Sequence, residues 1–384
     1  MNFHKPRYRF IYIAALLLSL QYAFTIYINS SFLGQYFDSQ TISNLYVAGA
    51  IITAFCLIVS GRFLKRFGNW RLVLSGIILE IGTLLTLAFS HNPTIIKIAF
   101  LAHQALPPLI LFGLDIFLEG ILVTVKDTEK TRAYYLTFMN LAFVFAPLTV
   151  GFMIEKISFS SVYLVSTLFL GILWLLVFDV FKNVEPVRYR ETESFRNVKM
   201  FLGRKFLSVI FFLNFLLQCF YVLMVIFMAP YLHNTIGLSW ESIGLIYTIM
   251  LLPFVLFEAP LGKLFNRFHD EKNIIMAGFL IMSASLLCMA YTQVPSVFLW
   301  AALLFLSRIG ASFVEVGSEA AFFRRITDKD ASFIGLFRLS VPAAYIITPL
   351  LGSVIVPALP VTTLFILTSL CLLVGVSATY KARF

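Results

Sequence analysis

Charge is what this sequence has least of. Only 12% of its 384 residues are Asp, Glu, Lys or Arg and 60% are hydrophobic, whereas a soluble domain carries ~25% charged residues. A water-soluble globule of this length is excluded on that ground. Histidine and cysteine are scarce as well, at five and four residues. His4, His91, His103, His233 and His269 fall in no metal-ligand spacing, and Cys56, Cys219, Cys288 and Cys371 each stand alone in a different apolar segment. A metal site, a redox pair and a His-based hydrolytic centre therefore lack their parts. No glycine-rich run ends in Gly-Lys-Ser/Thr, so there is no nucleotide-binding loop and no cofactor is expected.

What the chain does have is apolar length. A membrane-spanning helix needs ~20 mostly apolar residues, because hydrocarbon cannot satisfy bare backbone groups. Twelve segments qualify: Phe10–Ile28, Asn44–Arg62, Arg71–Phe89, Thr94–Val123, Ala133–Glu155, Ser161–Phe181, Phe206–Tyr231, Glu241–Gly262, Lys272–Tyr291, Val297–Phe322, Ala331–Ile355 and Val361–Tyr380. They predict an all-α membrane protein of twelve transmembrane helices. The first follows Lys5, Arg7 and Arg9, as a secretory signal does, but it is longer than a signal core and reads as a retained helix.

The net charge of +10 raises the question of nucleic acid, and the placement of the charges answers it. With the N-terminus in the cytoplasm, 25 of the 29 Lys and Arg fall at cytoplasmic ends of the segments. Only Lys97 and Lys156 fall on the other side, and Arg308 and Arg338 lie within spans. This is the positive-inside asymmetry. It predicts a multi-pass protein of the cell (inner) membrane with both termini cytoplasmic, whose basic pI reflects topology and not a nucleic-acid partner.

The two halves repeat. GRFLKRF at Gly61–Phe67 returns as GKLFNRF at Gly262–Phe268, and Asp115 and Glu119 return as Glu315 and Glu319 at an offset of 200. Pro147 and Pro349 fall late in the fifth and eleventh spans, and Gln21 and Gln218 fall midway along the first and seventh. Four matches in order at nearly constant offset point to an internal duplication. The expected organisation is a six-helix bundle over residues 1–182, a basic cytoplasmic linker over 183–205 and a second bundle over 206–384.

Six spans per half in the same polarity, joined by such a linker, resemble the major facilitator superfamily over the whole chain. The most specific residues are the loop Gly61-Arg62-Phe63-Leu64-Lys65-Arg66-Phe67-Gly68 and its copy after the eighth span. Lys130-Thr131-Arg132-Ala133 resembles the basic start of the family's fifth helix. Ala146-Pro147-Leu148-Thr149-Val150-Gly151 resembles the Gly-Pro motif of its proton-coupled exporters. The resemblance implies two pseudo-symmetric bundles, alternating access, and a cavity lined mainly by spans 1, 4, 7 and 10.

On those and the flanking spans, the mid-membrane polar residues are candidate substrate contacts: Gln21, Tyr22, His103, Gln104, Asn140, Asn214, Gln218 and Tyr221. Each also fits an ordinary interhelical hydrogen bond. Arg308, about twelve residues into the tenth span, sits ~18 Å along it. A guanidinium there stays charged and faces a cavity or a carboxylate. Two readings are open: an anion-binding or coupling arginine, and a buried pair with Glu315.

Asp115 and Glu119, with Glu315 and Glu319 in the other half, fall near the cytoplasmic interface on one helix face each. Glu258 joins them, and Arg62, Arg66, Arg267 and Arg338 are possible cationic partners. The functional reading is a gate of exchanging ion pairs; the alternative is static neutralisation of helix ends. Glu80, midway along the third span, reads as a proton site or a pair with a neighbouring helix. The function expected is a monomeric secondary active transporter for a small-molecule substrate, proton-coupled and directed toward export. The alternatives are a proton-coupled uptake carrier, a lipid flippase and a membrane-embedded enzyme.

Overall fold

A computed structural model describes residues 7–122, 128–182, 199–201, 203–268, 271–326 and 332–382. The long apolar segments form helices α1 (Arg7–Ile26), α3 (Ser39–Phe67), α4 (Asn69–Phe89), α5 (Pro93–Leu122), α6 (Thr128–Lys156) and α7 (Phe159–Val180). A short α2 (Asn29–Leu33) follows α1. After these come α8 (Lys205–Leu223), α9 (Trp240–Phe268), α10 (Glu271–Tyr291), α11 (Val297–Phe323), a short α12 (Ser332–Arg338), α13 (Ser340–Ile355) and α14 (Thr362–Lys381). Eleven helices among the described residues are long and apolar enough to cross a membrane, and α9 contributes the apolar stretch Trp240–Phe254. The protein is all-α and multi-pass.

The chain divides into two compact units, Met1–Phe37 with Leu45–Glu191, and Asp38–Asn44 with Thr192–Phe384. In the first, α1 packs on α5, α6 and α7, and α4 packs on α5 and α7. In the second, α8 packs on α11, α13 and α14, and α10 packs on α11 and α14. Counted by span, the same pairings recur in both units. The repeated sequence plan thus appears as a repeated packing plan.

Periodicity explains why these helices bury the faces they do. In α4 the buried positions include Val73, Ile77, Glu80, Leu84 and Leu87, and in α5 Ile96, Phe100, His103, Ile110, Leu114 and Phe117. Steps of three and four residues trace one helix face. Glu80 and His103 therefore stand inside otherwise apolar stripes.

Two details differ from the sequence expectation. The eleventh span carries a one-residue irregularity at Leu339, between α12 and α13, where the backbone stays helical and Leu336–Ile355 still forms one membrane-length apolar stretch. Pro342 has no N–H to donate to the carbonyl of Arg338, so the helical ladder loses a bond there. Arg338 is the exposed last residue of α12 and lies at the start of the apolar span Leu336–Ile355. The end of α8 also departs from regular geometry, running on through π-helical turns at Met224–Met228 and Tyr231–Thr235 on either side of Pro230. Of the expected linker, residues 183–198 and 202 lie outside the described residues.

Candidate functional site

Two polar clusters stand within the apolar packing, one in each unit. In the first unit, five buried side chains from α1, α2, α4, α5 and α7 are joined by hydrogen bonds. Tyr163 Oη donates to Asn29 Oδ1 at 2.9 Å, Asn29 Nδ2 meets His103 Nε2 at 3.2 Å, and His103 Nδ1 meets Glu80 Oε1 at 2.6 Å. Gln21 Nε2 donates to the same Glu80 oxygen at 3.1 Å. Glu80 is 0% exposed and His103 3%. His103 lies ten residues beyond Pro93, ~15 Å along α5 and thus near mid-membrane.

The network fixes the protonation pattern. Because Asn29 Oδ1 accepts from the tyrosine, its amide N–H groups face His103. Nε2 must then accept, and Nδ1 carries the hydrogen toward Glu80. Two buried atoms of the cluster have no partner among the described residues, Glu80 Oε2 and Gln21 Oε1. Both are acceptors. The cluster thus holds two buried oxygens that no described donor meets.

In the second unit, Arg308 is 3% exposed on α11. Its guanidinium carbon sits over three rings, Tyr221 at 5.0 Å, Phe220 at 5.3 Å and Phe254 at 5.8 Å. Tyr221 Oη donates to Glu315 Oε2 at 2.7 Å. Arg308 and Glu315 are therefore not a direct ion pair; the tyrosine stands between their roles, with its ring under the cation and its hydroxyl on the carboxylate. Buried Asn214 donates to Ser340 Oγ at 2.8 Å, and Ser340 in turn donates to the Phe337 carbonyl at 3.0 Å.

The remaining expected residues are dispersed. Tyr22 is half-buried with its ring edge-on to Phe143, Gln104 and Gln218 are half-buried, and Asn140 is exposed. Asp115 accepts from Tyr135 Oη at 3.0 Å on the basic side of the first unit. Glu119 is half-buried there, and Arg62, Arg66 and Glu319 are exposed. Arg324, just after α11, forms an ion pair with Glu271 at the start of α10, at 2.5 Å. The side chains of Glu258 and Arg267 lie outside the described residues. No group of three or more His, Cys, Asp or Glu among the described residues is placed to hold a metal ion.

Sequence reasoning missed Asn29, Tyr163, Phe220 and Phe254. Asn29 follows the first apolar segment and Tyr163 opens the sixth, so both resemble ordinary interfacial residues. The two phenylalanines are hidden among 42. The one usable signal was Arg308 itself, since a mid-span guanidinium calls for aromatic or acidic neighbours.

The sequence matches the Major Facilitator Superfamily over residues 11–242 and 210–382. No curated protein matches it. Among solved structures, the nucleoside transporter NupG superposes with a TM-score of 0.81 at 15% identity, covering 100% of both chains. An aspartate-to-alanine variant of NupG superposes with a TM-score of 0.82 at 14% identity, covering 97% of this chain and 99% of that one. At such identity the likeness speaks to fold, and the family match, which spans nearly the whole sequence, speaks to kinship. The chain belongs to the major facilitator superfamily and is a membrane transporter, not an enzyme.

Proposed function

We propose that the protein is a proton-coupled secondary transporter that moves a small solute by alternating access, exporting it in exchange for protons. In this reading it acts as a monomer in the cell membrane, with both termini cytoplasmic. The observation that carries the coupling is the pair of unmet buried acceptors at Glu80 Oε2 and Gln21 Oε1. A proton arriving on Oε2 gives the cluster the donor it lacks and removes its formal negative charge. A carboxylate charge near the bilayer centre costs ~2.5–3.5 kcal/mol. Conformations that seal Glu80 from water are thus favoured when it is protonated, which links proton binding to the transport cycle. His103 cannot take that proton without reorganising Asn29, because its second nitrogen already accepts from the amide.

Export is supported by the Ala146-Pro147 segment in α6 and its resemblance to the exporters' motif. NupG is described as a nucleoside transporter, so the solute panel includes nucleosides beside small organic carboxylates and phosphates. The test uses proteoliposomes holding a luminal pH dye. A transported solute should move protons in the opposite direction in wild-type protein and not in Glu80→Gln. Solute movement with no proton movement would overturn the coupling. Protons moving in the same direction as the solute would replace export with uptake.

A further inference from the structure

We infer that Arg308 is the anchor of a substrate oxyanion, so that the solute carried is a small organic carboxylate or phosphate. The inference rests on the transporter reading above and adds to it the chemical class of the cargo. It starts from an imbalance of charge. Glu80 can shed its charge by binding a proton, but a guanidinium stays protonated at every relevant pH. Arg308 is buried midway along α11, and no carboxylate among the described residues lies within ion-pair distance of it.

Its immediate surroundings do not fill the gap. Ser307 and Ser312, its buried neighbours on the helix, donate to the carbonyls of their own helix, Leu304 at 2.7 Å and Ile309 at 2.9 Å. Tyr221 donates to Glu315, which holds that carboxylate on the hydroxyl end of the ring while the guanidinium sits over its face. Arg308 Nε is buried with no hydrogen-bond partner. What the site offers is three aromatic rings. Cation–π contact is worth ~2 kcal/mol when desolvated, but it leaves the in-plane N–H donors unmet. A guanidinium meets a carboxylate or phosphate through two parallel N–H···O bonds in that plane, the interaction the aromatic setting leaves open. An oxyanion arriving with the solute supplies the in-plane acceptors that no described side chain provides.

The test is equilibrium binding at fixed pH and ionic strength, so that it needs no proton gradient and its failure is separable from failure of the coupling. Thermal unfolding of purified protein is followed with benzoate, phenyl phosphate and the neutral isostere benzamide at millimolar concentrations. Benzoate or phenyl phosphate should raise the melting temperature saturably and benzamide should not; which anion does so distinguishes carboxylate from phosphate. Arg308→Gln should abolish the shift, and Arg308→Lys, which keeps the charge without the fork, should weaken the apparent affinity about tenfold or more. If Arg308→Gln does not fold, Arg308→Lys and the anion-against-amide comparison still decide. Equal shifts by benzamide, an undiminished shift in either variant, or no shift by either anion would overturn the inference.

Discussion

His103 Nδ1 lies 2.6 Å from Glu80 Oε1, while its Nε2 faces the side-chain amide of Asn29 at 3.2 Å. The two contacts together assign the imidazole one tautomer, with hydrogen on Nδ1. They also decide which partner receives an added proton. Putting it on Nε2 would set an N–H against the Asn29 amide N–H groups, and righting that clash means rotating Asn29 and losing the Tyr163 bond. Putting it on Glu80 Oε2 displaces no hydrogen bond, since that oxygen has no partner among the described residues.

The expected outcome is that His103 keeps its Nδ1-hydrogen neutral form while the cluster takes up its proton at the carboxylate. Nitrogen NMR of histidine-labelled protein reads this directly, because the two ring nitrogens of a fixed tautomer have well separated shifts. Isotropic, imidazolium-like shifts for His103 under conditions that saturate proton binding would move the site from Glu80 to the histidine. Glu80→Gln supplies the matching control, with the tautomer retained and proton uptake lost.

Tyr163 is the outer support of the same chain of bonds. Its ring packs edge-on against Phe32 at 5.0 Å, and its hydroxyl is the donor to Asn29 Oδ1. Tyr163→Phe keeps the ring and strands a buried amide oxygen, a defect that costs ~1–3 kcal/mol. The prediction is a lower melting temperature, with a freer Asn29 that lets the His103 tautomer mix. A variant that melts with the wild type would show the hydroxyl to be dispensable.

How much of this was legible in the sequence depends on the interaction concerned. The twelve-span plan and the duplication could be read because apolar length and a 200-residue offset are properties of the chain itself. Glu80, His103 and Gln21 could be singled out as mid-span polar residues, but not joined. Their union requires three helices to turn particular faces inward, and the distance from residue 21 to residue 80 to residue 103 carries no geometric signal. At the basic side Arg324 pairs with Glu271 at the start of the neighbouring helix α10, a partner distant in sequence. The irregularity at Leu339 was legible in principle, since Pro342 removes a bond of the helical ladder there.

The second unit contains a crossing that only glycine permits. A Cβ on Gly310 would lie 2.6 Å from the Gly278 carbonyl oxygen, and a Cβ on Gly278 would lie 2.6 Å from that of Gly310. Small residues let helix backbones approach in membranes, where packing does much of the work that hydrophobicity does in water. Because backbone meets backbone here, no side-chain rotation relieves the clash. Gly310→Val should cost at least the ~1–3 kcal/mol of an overpacked core, seen as a drop in melting temperature. Gly171, which has open space around its Cβ position, is the control: Gly171→Ala should be tolerated. A Gly310→Val protein as stable as the control would show that α10 and α11 are free to separate.

The Arg324–Glu271 pair makes a prediction about asymmetry. Glu271 opens α10, where the helix N-terminus favours a carboxylate, and its side chain is 6% exposed against 39% for Arg324. Removing the acid leaves an arginine able to turn toward solvent. Removing the arginine leaves a buried carboxylate with no other ion-pair partner among the described residues. Arg324→Ala should therefore destabilise the protein more than Glu271→Gln, by an amount between the ~1 kcal/mol of an exposed pair and the ~3–5 kcal/mol of a broken buried one. The double variant should regain part of the loss, because the stranded charge is gone. A double-mutant cycle in thermal or denaturant unfolding measures all three terms. Equal costs for the two single variants would mean that Glu271 is as well hydrated as its partner, and that the pair's contribution is no more than that of a surface contact.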